Sequence, residues 1–471
     1  MTDRRKYLPL LIGGGVVVAC ALGALATELP FAPREVIAAA VAVVAVVAFI
    51  NDLAAFLFVL LSAATNFYGL VDLGAKGNQA LPVYDALLVG LCAIFCLGQL
   101  VRGRASIWRR TRSLAARLCL VAVVGVAGIV VYSTVKWDQD FWTSVKASHD
   151  FIFFGLAAFG LFAEADEETL RRCRRSLVLV GCLAAAVPLL GFAVDLRDVL
   201  PGIGNVLTAS LFQRTVYRTV PVCFFVVYIG FFAAFFDRSA SRGRRTAELL
   251  WMALGIVLLG YRAGWLGLVG AVAWMALRDS SDQEHRARRG LLQLALVAAV
   301  AYAGVSFMGA GEHIGGRVSS VTEDLSQSGR PTDQLGSLGL RIHQIRGLWA
   351  IFSRDPVLGA GFVHPQGPAG NLAFQQGLTY VATNDVGWID ILVRTGIVGS
   401  AFFVLATALA LRRLRALETS PIGDYARTLR AYFLFSLIFL LGGAPFSCPA
   451  GVIPLAALLG VFIAADPACS D

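Results

Sequence analysis

The chain has 471 residues, of which 57% are hydrophobic and 15% charged, with a formal net charge of +9 and a mean hydropathy of +0.71. Apolar runs of about span length recur along it, which excludes a soluble enzyme and predicts an all-α polytopic membrane protein. Its positive charge falls in discrete arginine clusters between the runs, so it reports topology and argues against a nucleic-acid partner.

In chain order, Arg4-Arg5-Lys6 precede an apolar run to about Ala26, and a further apolar span follows at once, so this start reads as an uncleaved first span. Spans are predicted near 7–27, 35–50, 53–70, 83–101, 114–133, 149–164, 176–194, 219–236, 246–260, 263–277, 290–307, 386–411, 431–446 and 451–466. That makes about fourteen crossings, with twelve as the alternative count. Arginine clusters at 102–112, 171–175, 238–245, 278–289 and 412–415 fall on the same side as the N-terminus, which the positive-inside rule assigns to the cytoplasm. Loops near 71–82, 134–148, 195–218 and 307–385, with the tight turn Gly260-Tyr261-Arg262, face the other way, and Trp137 and Trp142 fit an interfacial aromatic belt. No self-similarity at a period of 20–50 residues is visible, so one integrated bundle is expected. It divides into a transmembrane part over 1–306, a loop over 307–385 and C-terminal helices over 386–471.

Nine cysteines, mostly inside apolar segments, imply no disulfide framework. Cys92 and Cys96 have helical spacing but no histidine or carboxylate nearby to complete a metal site.

The polar stretch from about Phe307 to Tyr380 interrupts this hydrophobic rhythm. A loop of such length in a compact bundle points to function, since ordering it costs conformational entropy. Within it Leu338, Ile342, Ile345, Trp349 and Phe352 fall on one helical face, with Arg341, His343, Gln344 and Arg346 elsewhere. Ser337 is a candidate N-cap and Asp355-Pro356 a stop signal. Such an amphipathic helix rests on the outer membrane surface or docks on the mouth of the bundle.

Arg214, Arg218, Arg262 and Arg341 are cations on the side where the topology bias disfavours them. Guanidinium binds phosphate oxygens bidentately and stays charged at working pH, so several together suit a pyrophosphate. The alternative is snorkelling or pairing with Asp195 and Asp198. Asp390 and Arg394 lie at i, i+4 in an apolar run, either as a buried pair that fixes helix position or as part of the arginines' cavity. His149, His313, His343 and His364 are candidate bases on the outer side. No metal-binding spacing, phosphate-cradling glycine loop or nucleophile elbow is present.

Three segments read together resemble the O-antigen ligase and O-antigen polymerase superfamily. Gly260-Tyr261-Arg262-Ala263-Gly264-Trp265-Leu266-Gly267 is similar to its Ser-Arg-Gly-x-Trp-Leu turn. Gly339-Leu340-Arg341 through Trp349, then Asp355-Pro356 to Gly361-Phe362, resembles its loop helix and Pro-x-x-Gly-x-Gly element. Thr383-Asn384-Asp385 through Gly396-Ile397-Val398-Gly399 resembles its His-Asn-x-x-Leu and Gly-x-x-Gly run at the start of the next helix.

The resemblance implies a GT-C-like bundle acting as a cofactor-free, metal-independent, inverting glycosyltransferase of the bacterial inner membrane, with its site facing the periplasm. The donor would be an undecaprenyl-pyrophosphate-linked glycan, the acceptor a glycan or glycolipid, and other proteins of a glycan-assembly complex possible partners. By position, Arg262 and Arg341 would hold the pyrophosphate, with Arg214 and Arg218 behind them. Where the ligase branch has a histidine this chain has Thr383, beside Asn384, so either the base is Asp385, His364 or His343, or the acceptor needs little deprotonation, or the reaction is not ligation. That departure favours an O-antigen-type or exopolysaccharide polymerase, or a ligase-like relative, over the strict lipid A-core ligase. A transporter or flippase, or a catalytically silent assembly partner, are the competing classes.

Overall fold

The structure, a computed structural model, describes residues 52–70, 81–101, 107–193, 196, 204–211, 214–220, 223–278, 337–362, 386–443, 445–446 and 448–466. The predicted spans at 7–27, 35–50 and 290–307 lie outside the described residues; the other eleven each coincide with a helix. The described helices are α1 (Leu53–Ala64), α2 (Leu81–Val101), the short α3 (Ile107–Arg110), α4 (Leu114–Trp137), α5 (Phe141–Ile152) running on as a 3-10 helix (Phe153–Leu161), and α6 (Glu167–Ala193). After a hairpin come α7 (Phe225–Phe235), α8 (Arg242–Leu259), α9 (Arg262–Arg278), α10 (Ser337–Phe352), α11 (Gly387–Ala416), α12 (Gly423–Phe439) and α13 (Pro449–Ala465). Among the described residues, α4, the Glu167–Gly191 part of α6 and α11 are long and apolar enough to cross a bilayer, and six shorter apolar helices accompany them. The chain is an all-α polytopic membrane protein, and among the described residues one hairpin departs from helix. Where the sequence suggested only a loop, Gly204–Leu211 (β1) and Arg214–Val220 (β2) form an antiparallel hairpin, with Arg218 opposite Leu207 and Arg214 opposite Leu211.

Local signals set the helix ends. Asp52 and Asp140 cap α1 and α5 by accepting from the backbone N–H groups of Ala54 and Thr143. Gly260 closes α8 in the left-handed conformation at φ 65°, which turns the chain through Tyr261 straight into α9 at Arg262. The core is aromatic and centred on α7, which is buried from Phe225 to Ala234. Tyr228 stacks on Phe435 of α12 at 4.5 Å, and Phe225 meets Phe439 edge-on at 5.0 Å.

Ion pairs gather at one end of the bundle. Arg174 bridges Asp237 at 2.8 Å and Asp424 at 3.0 Å, Arg427 also reaches Asp424 at 2.9 Å, and Arg413 holds Asp466 at 2.9 Å. These pairs join the N-terminal part of α6 and the first turn of α12 to Asp237 just past α7, and the last turn of α11 to Asp466 just past α13, so arginines of the 171–175, 238–245 and 412–415 clusters share an end, while Arg4-Arg5-Lys6 and residues 279–289 lie outside the described residues. The last turn of α4 and the first turns of α9 and α11 therefore lie at the other end.

Candidate functional site

The loop helix forms where the periodicity predicted, but its inward stripe differs. Leu348 and Phe352 are buried and Ile345 packs with them against Val386, Ile389 and Val393, whereas Trp349 is 50% exposed. Residues 345, 348 and 352 step by three and four, and extending that stripe back four residues reaches Arg341. Arg341 thus lies on the docked face, half-buried, and not on the polar side the sequence assigned it. Trp349 misled because either of two overlapping stripes satisfies helical spacing. Ser337, the expected N-cap, is already the first helical residue.

The turn after α10 does unusual work. α11 is broken at Gly396, whose φ of 62° and ψ of −168° are not helical. The break opens two rungs, from Ile397 to Val393 and from Val398 to Arg394. Four bonds to the turn replace them: Ile397 N donates to Pro356 O (2.9 Å), Val398 N to Val357 O (3.2 Å), Ala360 N to Val393 O (2.6 Å) and Gly361 N to Arg394 O (3.1 Å). In an apolar surround each open backbone group would cost several kcal/mol, so the segment 356–361 is the partner that makes the break tolerable. The approach requires glycine on both sides. A Cβ on Gly359 (φ 76°) would lie 2.5 Å from Gly396 N, and one on Gly396 would lie 2.3 Å from Val357 O. This is the physical content of the paired Gly motifs.

On its other side the same turn is clamped to the end of α4. Lys136 Nζ donates to Asp355 Oδ2 at 2.8 Å and to Gly359 O at 3.0 Å, Trp137 Nε1 to Ala360 O at 2.7 Å, and Phe362 N to Ser133 Oγ at 2.7 Å.

The decisive juxtaposition is at Gly442-Gly443, past the end of α12. Gly387 N, at the start of α11, donates to Gly443 O at 3.0 Å. A Cβ built on Gly442 would lie 3.1 Å from the Ala263 Cβ in the first turn of α9 and 3.3 Å from Arg341 Nη1. Two helix N-termini and one guanidinium therefore meet around a side-chain-free turn. Both N-termini bring a partial positive charge and helix N–H groups beside Arg341, while the C-terminal end of α12 and Asp390 in the first turn of α11 bring negative charge to the same neighbourhood. Among the described residues no carboxylate pairs with Arg341.

One turn below, Arg394 Nε donates to Asp390 Oδ1 at 2.8 Å and Arg394 Nη1 to Ala147 O at 3.3 Å, with the guanidinium 5.6 Å from the Phe151 ring centroid. Asp150 adds a second carboxylate in electrostatic reach of Arg394. Asp390 and Arg394 are 1% and 7% exposed, so the pair is a helix-fixing contact between α11 and α5. A cleft of about 650 Å³ runs along α4 and α11, from Leu114 and Arg413 at one end to Tyr132, Ile391 and Phe446 at the other. Its walls are almost wholly apolar, and its upper end lies one helical turn from Gly387.

Of the residues singled out from sequence, Arg341 and the start of α9 at Arg262 are brought together. His343 lies within α10, two positions beyond Arg341. Arg214 and Arg218 lie in β2, which packs along α6. Thr383, Asn384, Asp385 and His364 lie outside the described residues, although α11 begins two positions after Asp385. Sequence reading missed the Gly442-Gly443 turn and Lys136. The double glycine after an apolar run was a visible signal for the first; the second was hidden beside Trp137, whose place in an aromatic belt had sufficed.

Residues 247–404 match the family model Wzy_C, O-antigen ligase. The match takes in most of α8, then α9, α10 and the broken part of α11, and stops short of the Gly442-Gly443 turn. No curated protein matches the chain.

Proposed function

We propose that this chain, which carries an O-antigen ligase domain over residues 247–404 and so belongs to the O-antigen ligase and polymerase superfamily, transfers or polymerises a glycan from undecaprenyl pyrophosphate onto an acceptor sugar at the periplasmic face of the inner membrane. The observation that carries this reading is the meeting of Arg341, the α9 N-terminus and the α11 N-terminus at Gly442-Gly443. A diphosphate there would face a guanidinium without a carboxylate partner among the described residues and two sets of helix N–H groups. The apolar cleft below offers the donor's lipid a surface continuous with that headgroup locus.

In the reaction an acceptor hydroxyl attacks the anomeric carbon, the new glycosidic C–O bond forms, and the bond from that carbon to the pyrophosphate oxygen breaks with inversion. Negative charge grows on the departing diphosphate, and Arg262 and Arg341 stabilise it, with Arg214 and Arg218 as outer contributors. The hydroxyl proton passes to a base, for which Asp385, His364 and His343 are the candidates, and Thr383 and Asn384 orient the acceptor. This route uses no metal.

A transporter would also use a broken helix. Here, however, the two rungs opened at Gly396 are taken up by the chain's own backbone at 356–361, which leaves neither of them for a substrate. The test is reconstitution with a lipid-linked oligosaccharide. Arg341→Ala should abolish product at normal protein levels, and longer chains on the same lipid would indicate polymerisation, whereas appearance on a second lipid would indicate ligation. Undiminished product in Arg341→Ala and Arg262→Ala would overturn the diphosphate site placed at these arginines, and absence of product with the wild-type protein would overturn the enzyme reading.

A further inference from the structure

We propose that Lys136 is a positioning residue for the transfer reaction, acting through the 355–362 turn; the inference rests on the glycosyltransferase reading above. A lysine at a span end ordinarily snorkels to water. This one turns inward, with 17% of its side chain exposed, onto the Asp355 carboxylate at 2.8 Å and the Gly359 carbonyl at 3.0 Å, and lies 5.2 and 5.0 Å from the Tyr132 and Trp137 ring centroids. Tyr132 Oη also donates to Gly359 O at 3.2 Å.

The two groups Lys136 grips control two parts of the site. Asp355 lies three residues past the end of α10, and its N–H donates to Phe352 O at 3.0 Å, so the grip anchors the C-terminal end of the helix that carries Arg341. Arg341 is eleven residues back, roughly 16 Å along the axis, so a tilt of about 10° at the anchor shifts it by roughly 3 Å. A displacement of about 1 Å can cost a hundredfold in rate. Gly359 in turn packs on Gly396, so the grip also sets the angle between the two halves of α11. The upper half begins at Gly387, on the Gly443 carbonyl, where the anion would bind. Lys136 touches neither locus and reaches both.

The experiment uses the full-length protein in nanodiscs, with transfer from the lipid-linked oligosaccharide and hydrogen exchange measured on the same samples. Lys136→Met should lower kcat/KM about tenfold or more and speed exchange at the Ala360, Gly361, Ile397 and Val398 amides. Lys136→Arg, which keeps a cationic donor, should recover both to within about threefold. Asp355→Asn, which keeps Lys136 on the Gly359 carbonyl, should give an intermediate effect and serves if Lys136→Met fails to fold. Arg341→Ala should lose transfer with unchanged exchange. Normal exchange at those four amides in Lys136→Met and Asp355→Asn overturns the positioning role, whatever the transfer result. Faster exchange with undiminished transfer also overturns it while Arg341→Ala is dead. If Arg341→Ala transfers normally too, it is the diphosphate site at Arg341 that has failed, and if the wild-type protein transfers nothing, the glycosyltransferase reading itself has failed.

Discussion

The two ends of the bundle treat arginine in opposite ways. At one end Arg174, Arg413 and Arg427 are matched to Asp237, Asp424 and Asp466, and the side chains of Arg174 and Asp237 are each 9% exposed. At the other, Arg341 points at a glycine turn and two helix N-termini, and has no carboxylate partner among the described residues. An arginine neutralised by the chain's own acids is part of the structure. One with no acid beside it among the described residues is the candidate for an outside anion under the reading proposed above. The contrast teaches that the partners of an arginine, which no count of basic residues reveals, separate the two roles.

Substitution at each end should separate these roles. Arg341→Ala should cut transfer by about a hundredfold to a thousandfold, the scale of a lost charge-stabilising donor, while the melting temperature in detergent stays close to wild type. Gly396→Ala should lower stability by about 3 kcal/mol, because the conformation is one that glycine alone tolerates, and should remove transfer as well; thermal unfolding and the transfer assay check it together. If Gly396→Ala is as stable as wild type, the four-bond splice between the turn and α11 is not what holds the break. Arg174→Ala should cost about 3 kcal/mol through the two carboxylates it leaves facing each other, yet transfer per folded molecule should be retained. Loss of per-molecule transfer there would erase the distinction between the ends.

The smallest effect concerns pH. Burial alone would raise the Asp237 carboxyl, but its bonds from Ser239 and its pairing with Arg174 outweigh that and hold it below the ordinary carboxylate range. A depressed folded-state value means that the carboxylate's contribution is complete above the unfolded value and fades as pH falls through the folded one. Melting temperature should therefore be flat from neutral to mildly acid pH and fall below the ordinary carboxylate range, with part of that fall absent in Asp237→Asn.

Much of this was legible in the amino-acid sequence. Span positions followed from hydropathy, since lipid forces helices and helices need length. The Gly260-Tyr261-Arg262 turn and the 355–361 stop were marked by residues with narrow backbone options. What escaped depends on contacts distant in sequence. The inward register of α10 is set by Val386, Ile389 and Val393, which lie on α11, and the partner of the Gly396 break lies some forty residues upstream. Lys136 gives no sign in its own segment that it will find Asp355. The hairpin at 204–220 was missed because its two strands are short and stand in a stretch read only as a connection between spans.

The splice at Gly396 also constrains the order of assembly. Residues 356–361 leave the ribosome before α11, so the segment that takes up the open rungs is already synthesised when the broken helix emerges. An insertion that lengthened the tether between Gly361 and Gly387 would slow this zippering without touching either partner. The span would then linger in two unjoined halves, exposed to quality-control proteases during biogenesis.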